Sequence, residues 1–257
     1  MPGLKVCAVS YLNTVPLVWG MLHGEQRGMF ELAFRVPAEC ADMLAAGTAD
    51  IGIVPAFELL RQKLDIVPRL GIACRGPVRS ILLVTKGRAD QIRTLAADAS
   101  SRTSVQLARV ILARRYGAHP VIVSHPPDLP AMLAQADAAL LIGDPALRTD
   151  PAALPYPVHD LGAEWVEMTG LPMVFAIWAG RAGTVTPAVV RAFQESCRFG
   201  LARIDDIVAA EAVPRGFAPE LARRYLTTHI VHEFGAAEEE GLRLFLHYAG
   251  AERGTGA

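Results

Sequence analysis

Short apolar runs alternate with segments of helical spacing along the first third of the chain. Lys5–Val9 is a strand-like run, and Leu17–His23 follows with helical spacing. Phe34–Val36 reads as a strand, and Ala38–Ala46 as a helix closed by Gly47. Ile51–Val54 is a buried strand stopped by Pro55, and Phe57–Lys63 a short helix. Ile66–Cys74 and Ser80–Thr85 are two further strands. This alternation predicts a parallel-rich sheet with helices on both faces.

The pattern restarts after Lys86-Gly87. Thr94–Ala97, Val121–Val123 and Ala138–Ile142 read as strands, with helices over Val105–Tyr116 and Leu129–Ala134. A second small α/β unit therefore occupies about residues 87–160. Met173–Trp178 is one more apolar strand, Pro187 onward is almost all helical, and Gly250–Ala257 is expected to fray. The second unit is inserted after Ser80–Lys86, and Met173–Trp178 leads out of it. Two strands crossing between lobes make a hinge, with a cleft between the lobes where a small ligand can bind.

The 257 residues are 52% hydrophobic and 20% charged, a globular composition with room for one large domain or two small ones. With 25 basic and 26 acidic residues the formal net charge is −1, which argues against a nucleic-acid partner. No polybasic membrane patch, secretory signal or apolar run long enough to span a bilayer is visible. Cys7, Cys40, Cys74 and Cys197 are widely spaced and read as buried free thiols, so the expectation is a cytoplasmic protein without a disulfide framework.

Four junctions could carry chemistry. Ser10-Tyr11-Leu12-Asn13-Thr14-Val15-Pro16 follows the first strand and opens the first helix, with Asn13 or Thr14 suited to the cap and Pro16 to the first turn. Such a junction aims free N–H groups at a cleft, and Asn13 adds an amide that donates and accepts; a plain capped turn would look the same. Asp98-Ala99-Ser100-Ser101-Arg102-Thr103-Ser104 sits at the equivalent place in the second lobe. Its hydroxyls and Arg102 at a helix start suit a carboxylate or phosphate, or else a cap with a solvated arginine. Paired across a cleft, the two junctions would hold a ligand with two anionic ends. In Gly76-Pro77-Val78-Arg79-Ser80, Ser80 could face the cleft, while Arg79 could face it or pair structurally. Gly143-Asp144-Pro145 lies at the carboxyl end of a buried strand, where Asp144 could accept from a hydroxyl or cap the next turn.

Other features read as structure. His229-Ile230-Val231-His232-Glu233 has a metal-like spacing on a terminal helix but no third ligand. Glu238-Glu239-Glu240 reads as a solvated helix start. Nucleotide, dinucleotide and serine-hydrolase motifs are absent. Neither a metal nor a cofactor is expected.

Ser10-Tyr11-Leu12-Asn13-Thr14, Gly47-Thr48-Ala49-Asp50-Ile51-Gly52-Ile53-Val54-Pro55, Val78-Arg79-Ser80, Ser101-Arg102-Thr103-Ser104, Leu141-Ile142-Gly143-Asp144 and Glu164-Trp165-x-x-x-Thr169-Gly170-Leu171-Pro172 occur in this order. The set resembles the chorismate dehydratases of the futalosine route to menaquinone, from about Lys5 to Ala179 and more loosely beyond. The resemblance implies a two-lobed α/β fold of the periplasmic-binding-protein type 2 class. The lobes would be 1–84 with 172–257, and an inserted 85–171. It also implies conversion of chorismate to 3-[(1-carboxyvinyl)oxy]benzoate and water.

On that resemblance Ser80, Thr103 and Ser104 are expected to bind carboxylate, and Arg102 to bind it or hold the loop. Tyr11, Arg79, Gly143 and Asp144 are further substrate-binding candidates. Asn13 is expected nearest the reacting centre. Since no Lys, His or Glu lies in the cleft motifs and Asp144 is only a possible acceptor, the substrate's own enolpyruvyl carboxylate is the candidate base. The expected partner is thus a small dicarboxylate, in a monomer or a dimer. The alternatives are a non-catalytic anion-binding protein of the same fold, a regulator's effector domain, which would need a helix-turn-helix ahead of residue 1, and the 1,4-dihydroxy-6-naphthoate synthase of the same pathway.

Overall fold

A computed structural model describes residues 3–98 and 100–252. In chain order the elements are β1 (Leu4–Val9), α1 (Val15–His23), β2 (Phe30–Arg35), α2 (Pro37–Ala45), β3 (Ile51–Pro55), β4 (Asp65–Cys74) and β5 (Ile81–Thr85). Then come β6 (Thr94–Ala97), α3 (Arg102–Tyr116), β7 (Val121–Ser124), α4 (Leu129–Gln135), β8 (Ala138–Ile142), α5 (Gly143–Arg148), β9 (Val158–Asp160) and α6 (Leu161–Thr169). The chain closes with β10 (Met173–Gly180), α7 (Pro187–Leu201), α8 (Ile204–Glu211), α9 (Pro219–Arg224), β11 (Val231–Glu233) and α10 (Ala236–Glu252).

Two sheets form. The first runs β11-β4-β10-β3-β1-β2 and the second β7-β6-β8-β5-β9. Both are mixed rather than parallel-rich. Strands β1 with β2 and β3, and β6 with β7 and β8, pair in parallel. The pairs β10/β3, β10/β4, β11/β4, β5/β8 and β5/β9 are antiparallel. Four of these five reversals involve the strands next to the inter-sheet passages, β5 and β10, and the fifth adds the short edge strand β11 to β4. The chain passes between the sheets at 75–80 and again at 170–172, in short irregular segments rather than in the two crossing strands expected, so β5 belongs to the second sheet and not to the lobe that 1–84 was expected to form.

Alternation along β5 shows how the second sheet is covered on both faces. Ile81 and Leu83 join the large core shared with the first sheet, while Leu82 and Val84 turn to a smaller cluster with Met132, Leu133 and Leu141. Local signals set several helix ends. Ser101 caps α3 by accepting the Ser104 amide, and Gly117 ends it with φ +65°. Asp160 likewise caps α6 through the amides of Gly162 and Ala163.

Some expectations change. The predicted Phe34–Val36 strand starts earlier, at Phe30, and Val36 caps α2 instead. Ser80 precedes β5 rather than opening it. The helical C-terminal region is interrupted by β11, so His232 lies on a strand, and His229 ends a one-turn π-helix over Tyr225–His229. Glu238 is not solvated: it is fully buried, 2.7 Å from Arg75, and accepts the Gly235 amide. Residues 250–252 continue α10, and the rest of the tail expected to fray lies outside the described residues. All four cysteines are buried and free. Among the described residues no helix is long and apolar enough to cross a membrane.

Candidate functional site

A cleft opens where the sheets meet. Tyr11, Asn13, Ser80, Ser101 and Ser104 are among its polar lining, Gly143 adds backbone, and Ile53, Ile72, Val78, Ile142 and Phe175 supply apolar surface. None of its lining residues is charged. The mixture suits a small, partly apolar ligand whose polar groups are met by neutral donors.

Each sheet contributes through the end of a strand. After β1 the chain makes a 3-10 turn over Leu12–Thr14, which brings Tyr11 and Asn13 to the cleft. Across from it, the first turn of α3 presents Ser104, with Ser101 at its cap. The Ser104 hydroxyl is 3.1 Å from the Ser101 hydroxyl. The N-terminal end of this 15-residue helix faces the cleft with its partial positive charge, a setting that favours a carboxylate. Gly143 lies under the Tyr11 ring: with φ +61°, a side-chain carbon there would come within 2.5 Å of the ring. Burial pushes the Tyr11 phenol up to about 12, and its hydroxyl lies 3.2 Å from that of Ser100, so Tyr11 stays protonated.

Four other candidates do not line the cleft, because other groups already hold them. The Thr103 hydroxyl is fully buried and accepts the Phe57 amide at 3.1 Å. Arg102 bridges Asp42 at 2.8 Å and the buried Glu58 at 3.1 Å, tying α3 to the first lobe. Arg79, at φ +66°, gives its amide to Asp160 at 2.7 Å. Asp144 accepts the Leu12 amide at 2.9 Å and meets Arg215 at 3.1 Å. The turn opening α1 therefore binds the protein's own carboxylate, and of the two helix junctions it is α3 that faces the cleft with its hydroxyls. Ala99 of the same motif lies outside the described residues.

Two residues far along the chain complete the site. The fully buried Tyr225 takes a hydrogen bond from the Asn13 amide nitrogen at 3.1 Å and donates to the Ser80 hydroxyl at 2.8 Å. His232, also buried, lies with Nε2 2.8 Å from the Asn13 carbonyl oxygen. A carbonyl only accepts, so Nε2 carries the proton. Burial holds His232 down at about 4, so it is neutral near pH 7. His229 similarly meets the Pro77 carbonyl at 2.8 Å. The metal-like spacing is thus used for two separate backbone contacts. Nothing local flags Tyr225, whose partners are 212 and 145 positions away.

Two α/β lobes with a cleft between them define the class of two-lobed ligand-binding proteins. The chain matches the periplasmic aliphatic sulphonate binding protein of Escherichia coli with a TM-score of 0.65, at 15% identity, over 98% of this chain and 88% of that one. A crystal structure of a protein from Archaeoglobus fulgidus gives 0.78 at 19% identity over 98% of both chains. These likenesses establish the periplasmic-binding-protein-like fold. Residues 4–251 match the family model described as menaquinone biosynthesis. The chorismate dehydratase of Thermus thermophilus is 31% identical over 258 residues, 93% of each chain. This protein belongs to that menaquinone-biosynthesis family.

Proposed function

We propose that this protein is a chorismate dehydratase, a hydro-lyase that converts chorismate to 3-[(1-carboxyvinyl)oxy]benzoate and water in the futalosine route to menaquinone. Kinship with the Thermus thermophilus enzyme along nearly the whole chain supports the activity. The observation that carries the reading is one small cleft on which the Asn13 amide, the Ser80 hydroxyl and the start of α3 converge, without a charged side chain.

The chemistry suits such a cleft. Chorismate has a ring carboxylate and an enolpyruvyl carboxylate. The reaction breaks the C3–H and C4–O bonds and makes the ring aromatic. Aromatisation supplies a large driving force, so positioning and charge stabilisation are the main tasks of the protein. The C3 proton is conjugated through a ring double bond to the ring carboxylate. Donors on that carboxylate therefore stabilise the negative charge that develops as the proton leaves. Ser104, Ser101 and the α3 dipole serve this end in our reading, with Ser80 as a further donor.

Asn13 orients the leaving hydroxyl and the proton acceptor. Tyr11 is held protonated, and no other ionisable side chain lines the cleft. The enolpyruvyl carboxylate takes the C3 proton in this mechanism and passes it to the C4 oxygen, which departs as water and leaves the carboxylate ionised again. Incubation of the purified protein with chorismate, followed by mass analysis, tests the reading. The expected product is lighter by one water, and Asn13→Ala abolishes its formation while ligand binding stays measurable. Unaltered chorismate with the wild-type protein overturns the assignment.

A further inference from the structure

Asn13 is gripped from two sides by residues on the C-terminal part of the chain. Tyr225 holds its side chain at 3.1 Å, and His232 holds its backbone carbonyl at 2.8 Å. Tyr225 opens a one-turn π-helix, a local geometry that recurs at functional sites, and His232 sits on β11 at the edge of the first sheet. Both are buried, so each polar atom must find a partner within the protein. Both find one in the residue proposed to act on substrate.

The contacts also have a direction. The Asn13 nitrogen donates to the phenol oxygen, and the phenol gives its only proton to the Ser80 oxygen. Ser80 lines the cleft, so its own proton points to a third atom, which a ligand oxygen can supply. A hydroxyl that could otherwise donate or accept is thereby turned into a donor facing substrate. Hydrogen bonds linked head to tail in this way strengthen one another.

We propose that Tyr225 and His232 are positioning residues for the reaction. Tyr225 orients the Asn13 amide and makes the Ser80 hydroxyl a donor to a substrate carboxylate or ether oxygen, and His232 pins the turn that carries Asn13. This rests on the dehydratase reading for its kinetics, but the contacts themselves do not. Tyr225→Phe keeps the ring and removes only the hydroxyl. His232→Gln keeps a donor near the place of Nε2, whereas His232→Leu removes it.

Steady-state kinetics with chorismate, paired with NMR of the Asn13 side-chain amide, test the proposal. Misaligning a reacting group commonly costs about 10- to 100-fold in rate. Tyr225→Phe and His232→Leu are expected to lower kcat by that much, with KM within about threefold of wild type, and His232→Gln to recover most of the loss. The Asn13 amide proton bonded to the phenol moves upfield in Tyr225→Phe. A wild-type kcat in Tyr225→Phe, or equal loss in His232→Gln and His232→Leu, overturns the proposal. If the wild-type protein leaves chorismate unaltered, the dehydratase reading fails by itself. The NMR result then decides the relay alone: a shift of the Asn13 amide supports it, and an unmoved resonance overturns it.

Discussion

The carboxylate of Asp144 accepts the backbone amide of Leu12 at 2.9 Å, joining residues 132 positions apart. Asp144 opens α5 on the second sheet, while Leu12 starts the turn after β1 on the first. Arg215 completes the contact, reaching Asp144 at 3.1 Å and the Ser10 carbonyl at 2.6 Å. One buried carboxylate thus fastens the segment that carries Tyr11 and Asn13.

Replacing that carboxylate strands the Leu12 amide and leaves Arg215 with Glu211 and the Ser10 carbonyl. In Asp144→Ala the amide of the fully buried Leu12 loses its acceptor and Arg215 loses one of its two acidic partners. Leaving the buried amide unpaired costs about 1–3 kcal/mol. Urea denaturation is expected to show a loss of that size, and a smaller one for Asp144→Asn, which keeps an oxygen for the amide.

Gly143→Ala tests the close approach to Tyr11. The added carbon meets both a left-handed backbone and an aromatic ring at 2.5 Å. Gly28 is the control, because at φ +78° it has open space around it. Gly28→Ala should cost only the backbone penalty of about 1 kcal/mol, whereas Gly143→Ala pushes Tyr11 from its place. We expect at least a tenfold loss of turnover on chorismate in the second variant alone.

Arg102 separates direct from indirect roles in ligand binding. Its guanidinium is spent on Asp42 and Glu58, and Glu58 retains Arg61 and the Gln62 amide when it is removed. A partly exposed ion pair is worth about 0–1 kcal/mol, so Arg102→Ala should weaken chorismate binding by no more than about fivefold. Calorimetric titration showing a loss above about a hundredfold would put the guanidinium on the ligand itself.

His232 predicts an acid-sensitive contribution to stability. Burial lowers its folded value from 6.5 to about 4, against the opposing bond to the Asn13 carbonyl. As pH falls, the unfolded chain takes up the proton first. The contribution is therefore fully present above about pH 6.5 and is lost progressively toward about pH 4. The loss amounts to about 3 kcal/mol at most. Denaturation curves from pH 7 to 4 should show wild type losing more stability than His232→Gln, by up to this amount; parallel curves would place the titration elsewhere.

Much of the scaffold is written locally. The apolar runs at β1, β3 and β8 mark buried strands, Ser101 marks the start of α3, and Gly47 and Gly117 mark helix ends through positive φ. The order of motifs also carried the family and the two-lobed fold. Short β9 and β11, three residues each, left too little periodicity to read, and the mixed direction of the sheets depended on where the chain crosses.

The site divides along the same line. Tyr11, Asn13, Ser80, Ser104 and Gly143 stand at strand ends and helix starts, where the junctions and the family resemblance together drew attention to them, and they line one cleft. Whether a neighbouring polar residue joins them depended on partners distant in sequence. Thr103 went to Phe57, Arg102 to Asp42 and Glu58, and Asp144 to Leu12 and Arg215. Tyr225 and His232 reached Asn13 from the far end of the chain. Backbone conformation and capping are settled within a few residues, so the amino-acid sequence by itself determined them. A buried polar group must satisfy its hydrogen bonds with whatever the topology brings within about 3 Å, and that choice was made only by the tertiary structure.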